Sequence, residues 1–419
     1  MYPKTAPGGK EDKGETLVRR VHRLGLSDNT VTAVDNTTSS DGPAAPEPIA
    51  LAEAGTSGPE ETLGQRRAEL QAQTTLKGGL RPTSESSANL LASASNKMGE
   101  AQGKATLTGK DVVESAGKLY AIRSIAGKGK GLVATTRIEK GTRLLSEVPI
   151  FRVPRDNNDI KDLERIVADE VKCLGDDQQR AFFDLTNIYG NAHSEAFGIA
   201  RTNVLPLGSS ARSGGLFLEA SRINHSCKHN SQNTWNENIG QLTIHSLRDI
   251  EAGQEITISY LVRTSEYAER QRFLKEKFKF ECKCELCSLP RAQRKHSDTR
   301  LKNLQAIDKS IEAFFWGELE PEKALRLIHT MFGLFDEEGI WNANIARAYE
   351  DAYEIATDNE DESRARVFTR RAYDALRLIE GDDSSRTLKM KKASEELSAA
   401  QIPQGMNEAE FENWLWMLT

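Results

Sequence analysis

Asn224-His225-Ser226-Cys227, then Glu255-Ile256-Thr257-Ile258-Ser259-Tyr260, then Cys282-Lys283-Cys284-Glu285-Leu286-Cys287 are the three stretches that decide how this chain reads. The last supplies three thiolates at C-x-C-x-x-C spacing, able to converge on one tetrahedral ion, and a closed structural zinc site takes four ligands. Cys227 is the obvious fourth. The remaining cysteine, Cys173, sits in a helical pattern and reads as a small buried apolar residue. A site closed by Cys227, Cys282, Cys284 and Cys287 would tie the Asn-His segment to the chain just after Tyr260. With no position left open, such a zinc is structural and not catalytic. The competing reading is reduced, unligated cysteines in a polar loop. Apolar packing fits poorly, because Lys283 and Glu285 alternate with the thiols.

About a hundred residues upstream of Cys227 stands Lys128-Gly129-Lys130-Gly131-Leu132. Without side chains at its glycines, this strand-turn segment lets backbone groups approach a ligand closely. It is neither a Walker loop nor the longer dinucleotide fingerprint. Taken alone it would pass for a flexible turn.

In this order and spacing, the glycine segment, Asn-His-Ser-Cys, the run ending in Tyr260 and the trailing cysteines resemble the SET-domain protein-lysine methyltransferases. The SMYD-like branch with its cysteine-rich post-SET segment is the part of the family meant. The resemblance covers roughly residues 118–290. It implies an S-adenosylmethionine-dependent transfer of a methyl group to a lysine side chain of a protein substrate, histone or other. It also implies that Lys128, Lys130 and Gly131 hold the cofactor, the two lysines flanking its carboxylate end. Asn224 and His225 bind it by side-chain and backbone hydrogen bonds. Asn203, in Arg201-Thr202-Asn203, matches an asparagine that faces the cofactor in relatives, though a polar loop residue would look the same.

Tyr260 is the candidate catalytic residue, and it contributes to both cofactor site and substrate channel. Methyl transfer from a sulfonium to an amine is an in-line displacement, so alignment and electrostatics are the protein's main task. A phenolic oxygen can orient the methyl group through weak C–H hydrogen bonds. An apolar aromatic channel favours the neutral amine. In Lys277-Phe278-Lys279-Phe280, the alternation predicts aromatics on one extended face and lysines on the other. By resemblance Phe280 stacks near the adenine and Phe278 lines the lysine channel. Many relatives carry tyrosine where Phe278 stands, and losing that hydroxyl leaves room for more than one methyl addition. Plain core packing is the alternative for both rings and for Tyr260. Two features depart from the family. Lys228-His229-Asn230 follows Cys227 where a proline commonly precedes the asparagine, and the MYND zinc finger of the branch is missing.

The chain has 419 residues, enough for two or three domains. Its 56 Lys plus Arg against 62 Asp plus Glu give a net charge of −6, against the basic excess of a nucleic-acid binder. No apolar run reaches bilayer length and no signal-peptide order opens the chain, so no membrane is expected. Five cysteines, four of them read as a metal group, suit a reducing compartment, cytoplasmic or nuclear. Only one aromatic residue, Tyr2, precedes Tyr120, and residues 1–115 are rich in Gly, Ser, Thr, Ala and Pro. That composition predicts a disordered tail, with the basic stretch at residues 17–26 as a solvated part of it.

The rest predicts an α+β fold: small β-sheets with a helical insert, a cysteine segment, and an all-α lobe. Residues 116–263 form the SET-like domain, with its insert at about 157–202; 264–290 form the zinc-binding segment and 291–419 the helical lobe. In the insert, Ile160, Leu163, Ile166, Val167 and Val171 share a helical period, followed by Phe182, Phe183 and Leu185. In the lobe, Ile345, Ala348, Ala352 and Ile355 form one stripe. Ala365, Phe368, Ala372, Ala375 and Ile379 form another, like a tetratricopeptide hairpin without its full signature. Protein partners through this lobe are expected. A catalytically inactive scaffold, or a module that only binds peptides in the groove, would share these residues with an enzyme. Retention of Asn224, His225 and Tyr260 together favours the enzyme.

Overall fold

The computed structural model describes residues 118–208 and 211–417. The expectations for residues 1–115 and for the stretch at 17–26 lie outside it. Along the chain come β1 (Tyr120–Ile125), β2 (Gly129–Ala134), β3 (Arg143–Glu147) and β4 (Phe151–Pro154). Then follow helices α1 (Ile160–Cys173), α2 (Asp176–Phe183) and α3 (Glu195–Asn203). Short strands return as β5 (Leu205–Pro206), β6 (Ser213–Leu216), β7 (Asn224–His225), β8 (Ser231–Asn236), β9 (Gln241–Ser246) and β10 (Glu255–Ile258). They make three small sheets, ordered β1-β2-β10-β7, β3-β9-β8 and β4-β6-β5. Beyond them, among the described residues, the elements are all helices: α4 (Tyr267–Phe278), α5 (Arg291–Phe315), α6 (Pro321–Glu338), α7 (Ala343–Asp358), α8 (Glu362–Glu380), α9 (Ser385–Glu396) and α10 (Glu408–Trp416). This is the α+β arrangement expected.

The insert forms because its apolar residues recur every four positions. Asp159 caps α1 by accepting from the Lys161 and Asp162 amides, and Leu163, Val167 and Val171 are buried. Two expectations need correcting here. Cys173 is exposed, not buried: it lies two residues past Val171, well round the helix from the buried stripe. Phe183 is exposed as well, because α2 turns Phe182 into the core and cannot bury its neighbour too.

Both apolar stripes of the lobe are buried as expected, on α7 and α8, in one core with Phe332, Phe335 and Trp416. Trp416, fully buried, packs on Phe332 and Phe368 and stacks on His329. The lobe meets the small sheets at Asp383, which accepts from Arg143 Nη1 (3.0 Å) and Asn236 Nδ2 (3.0 Å). Gly381 adopts φ 90°, and a Cβ there would meet Arg143 Nη2 and His245 Nε2, so glycine lets the chain come this close. Lys140 lies over the Trp341 ring, 3.4 Å from its centroid.

Asp383→Ala leaves Arg143 and Asn236 without their shared acceptor, and is expected to lower stability by roughly 1–2 kcal/mol. The hydrogen bond from Arg143 holds the Asp383 carboxyl below the usual range. Its contribution is therefore present above the unfolded-state pKa of about 4 and fades as pH falls through the lower folded value. Thermal unfolding of wild type and variant should show a gap at pH 7 that closes in acid. A gap independent of pH would show that the carboxylate's charge is not what holds the lobe.

Candidate active site and cysteine centre

Asn224 and Tyr260 lie far apart in sequence and meet because β7 and β10 pair in parallel, Thr257 opposite Asn224 and Ile258 opposite His225. A parallel pair needs a long crossover. Here the β8–β9 hairpin makes the excursion, and Asn230 fixes its start. The Asn230 amide donates to the Glu255 carbonyl (2.9 Å) and accepts from the Thr257 N–H (2.8 Å). It thus extends the sheet with a side chain, one residue past His229, the position where the proline is missing.

On the other side β10 pairs antiparallel with β2, Ile256 opposite Leu132. This brings the glycine segment against Asn224. A Cβ at Gly131 would stand 2.6 Å from Asn224 Nδ2 and 3.2 Å from Glu255 Oε1. The missing side chain therefore makes room for the Asn224 amide, which donates to Glu255 Oε1 (2.9 Å) and to the Lys130 carbonyl (3.3 Å). Lys128 reaches Glu255 Oε2 at 2.6 Å, and Lys130 reaches both oxygens of Asp184 at 2.6 and 2.7 Å. Asp184 also takes buried Arg222 at 2.9 Å. Each lysine ammonium thus faces a carboxylate of this chain.

Asn203 ends α3. Its Nδ2 donates to the Thr186 and Ile199 carbonyls, both at 2.7 Å, so it braces the insert rather than bonding to Asn224 or His225. Its link to the others is indirect: its own carbonyl accepts from Ser221, beside Arg222.

Strand pairing stops at Ile258, so Tyr260 stands two residues beyond the strand it was expected to end. Its N–H donates to His225 Nδ1 at 3.0 Å. A backbone N–H can only donate, so Nδ1 is the unprotonated nitrogen and the ring proton of the neutral imidazole sits on Nε2. Nε2 lies 3.3 Å from Cys227 Sγ and donates to it. The tyrosine hydroxyl donates to the Ile223 carbonyl at 2.8 Å, and burial raises its pKa further, so it stays protonated. Around it stand Phe278, ring centroids 4.8 Å apart, and His225 at 5.3 Å; Phe280 lies 6.2 Å from His225.

The extended run expected for Phe278 and Phe280 is not there. Phe278 ends helix α4, and Lys279 adopts a left-handed cap with φ 60°. The helix-ending reversal, not a β-alternation, delivers both rings to the same cluster as Tyr260.

Cys227, Cys282, Cys284 and Cys287 bring their sulfurs within 4.8 Å of one another, Cys227 lying 3.5 Å from Cys287 and 4.0 Å from Cys282. Tetrahedral zinc with Zn–S near 2.3 Å sets sulfurs about 3.8 Å apart, so the group fits that ion. Its surroundings fit as well. Four thiolates on a divalent cation leave net negative charge, and buried Arg270 holds Nη2 4.0 Å from Cys287 Sγ. Gln271 donates to the Cys282 carbonyl (2.7 Å) and accepts from its N–H (2.9 Å).

Sequence reasoning missed Glu255, Asp184, Arg222, Arg270 and Gln271. One of them had a signal: Arg270 lies one helical turn from buried Leu274. Glu255, Asp184, Arg222 and Gln271 had none, because their partners come from other segments.

The SET domain profile matches residues 129–261. The chain is 32% identical over 290 residues to the histone-lysine N-methyltransferase set5 of Schizosaccharomyces pombe, covering 69% of this chain and 88% of that protein. Shorter stretches are similar to human histone-lysine N-methyltransferase SMYD3, at 32% over 105 residues, 25% of this chain and 23% of that one. For chicken protein-lysine N-trimethyltransferase SMYD5 the figures are 40% over 76 residues, 17% and 18%.

Cys282→Ser removes a ligand from the four-sulfur group and is expected to reduce bound zinc to well under one ion per chain. It should lower Tm at the same time, because a structural metal contributes folding energy directly. Elemental analysis and thermal unfolding on one preparation check this. Wild-type protein purified without chelators and found free of zinc would remove the metal.

Proposed function

From the premise that this chain belongs to the SET-domain protein-lysine methyltransferases, which transfer a methyl group from S-adenosylmethionine to lysine, we propose how its own residues divide that task. The observation that carries the reading is the parallel pairing of β7 with β10, which sets the Asn-His pair beside Tyr260. S-adenosylmethionine supplies the methyl group, on a sulfonium.

Lys128, Lys130, Gly131, Asn224 and His225 border the amino-acid end of the cofactor, with Asn203 bracing the insert behind them. Phe280 lies beside the adenine. Tyr260 and Phe278 wall the lysine channel, where apolar rings exclude water and favour the neutral amine. The Tyr260 proton is engaged by the Ile223 carbonyl, which leaves the phenolic oxygen its lone pairs for accepting. They orient the methyl group and stabilise the transfer. With phenylalanine at 278, no hydroxyl restrains the amine, and more than one methyl addition is accommodated. Cys227, Cys282, Cys284 and Cys287 hold a structural zinc.

The same reading assigns catalysis to residues 116–263, metal binding to 264–290 and partner contacts to the helical lobe at 291–419. The substrate is a protein lysine, and the fission-yeast relative's name makes histones the first to try. A nuclear or cytoplasmic site of action follows from such substrates. No helix among the described residues is long and apolar enough to cross a membrane. Asn224, His225 and Tyr260 are all present, which speaks against a scaffold that has lost its chemistry.

Tyr260→Phe is expected to slow methyl transfer about a hundredfold, roughly 2.7 kcal/mol of transition-state stabilisation, with cofactor affinity nearly unchanged. Turnover on core histones with labelled cofactor, cofactor titration and Tm should be measured on the same preparation. Normal turnover in a folded Tyr260→Phe protein would sink the catalytic assignment.

A further inference from the structure

The pairing of Glu255 with Asn224 has a consequence for what the site can recognise. Asn224 has one amide nitrogen able to donate, and it faces two acceptors, Glu255 Oε1 at 2.9 Å and the Lys130 carbonyl at 3.3 Å. Neither partner can donate, so the orientation of the amide is fixed. Both N–H groups are engaged, and what Asn224 keeps for a ligand is its oxygen. Among the described residues, Asn224 Oδ1 accepts no hydrogen bond.

Glu255 is itself held from several directions. Its second oxygen takes Lys128 Nζ at 2.6 Å, its carbonyl accepts from Asn230 at 2.9 Å, and its backbone is paired with Val133 of β2. Its side chain is 17% exposed, so the carboxylate is a fixed feature of the wall and not a mobile surface charge. Gly131 completes the arrangement: a side chain there would stand 2.6 Å from Asn224 Nδ2 and push the amide off Glu255.

We propose that Glu255 is a positioning residue that makes Asn224 an acceptor-only contact, so that the site selects a cofactor for its α-ammonium group. This rests on the cofactor reading of the preceding section. An amide free to rotate would offer a donor as readily as an acceptor and would discriminate less. Locked by Glu255, it favours a cationic N–H donor, since a charged donor makes the stronger hydrogen bond. A ligand without a donor there leaves the oxygen unpaired.

The test is calorimetric titration of the full chain with S-adenosylmethionine and with its analogue in which hydrogen replaces the α-amino group. Wild type is expected to bind the desamino analogue at least about tenfold more weakly. Glu255→Met, which removes the acceptor at similar volume, is expected to weaken S-adenosylmethionine about tenfold and the analogue by less than about twofold, so that discrimination collapses. Gly131→Ala should reproduce the pattern by displacing the same amide. Equal weakening of both ligands by Glu255→Met, or none, would reduce Glu255 to a structural role and overturn the proposal. Equal binding of both ligands by wild type would overturn it without any variant, even if both variants fail to fold. Wild type that binds neither ligand would instead sink the cofactor reading itself, and the proposal with it.

Discussion

His225 has both ring nitrogens engaged, one accepting from the Tyr260 backbone and the other donating to the Cys227 sulfur. The imidazole is buried, so giving up either bond would leave a polar atom unsatisfied away from water. The backbone at Tyr260, the strand β7 and the cysteine centre are therefore held at fixed distances from one another. Everything that approaches Tyr260 inherits that constraint: the Phe278 and Phe280 rings from the end of α4, and the Ile223 carbonyl from just before β7. The cysteine centre helps build the site, though no cysteine needs to touch a substrate.

The charged wall beside Asn224 follows a similar logic. Two lysines, two carboxylates and a buried arginine sit together, and each lysine has an acidic partner within 2.6 Å. Pairing lets the cations stand at a partly dry surface without mutual repulsion. It also restrains side chains that would otherwise be mobile. Gly131 is required there because an amide occupies the space where its Cβ would be.

The helical lobe is tied to this frame at more than one point. Asp383 bonds to β3 and β8, and Gln305 of α5 donates to the Thr264 carbonyl, shortly after Tyr260. Buried Arg270 lies 3.9 Å from Asp298 of α5, carrying the link from the cysteines into the lobe. Much of the lobe's core comes from α7 and α8, whose stripes of small residues let the helices pack closely.

A good deal was legible from the chain alone. The grouping of Cys282, Cys284 and Cys287 could be read because their spacing is local, and Cys227 followed from ligand count, since a closed site needs a fourth thiolate. So could the helical stripes of α1, α7 and α8, which rest on a period of 3.6 residues. Readings that failed, or were never made, concern where a side chain goes once elements pack. Phe278 and Phe280 look like strand alternation, but the helix of α4 runs up to Phe278 and a left-handed Lys279 turns the chain. Cys173 follows the helical pattern yet falls off its buried face. Only the tertiary structure decided that Glu255 meets Asn224, that Asp184 meets Lys130, and that His225 proton placement joins Tyr260 to Cys227. Each of these contacts joins segments that are separate in sequence, or depends on a hydrogen bond from such a segment. Residue type and spacing fix which contacts a chain can make nearby; long-range pairing selects among the distant ones.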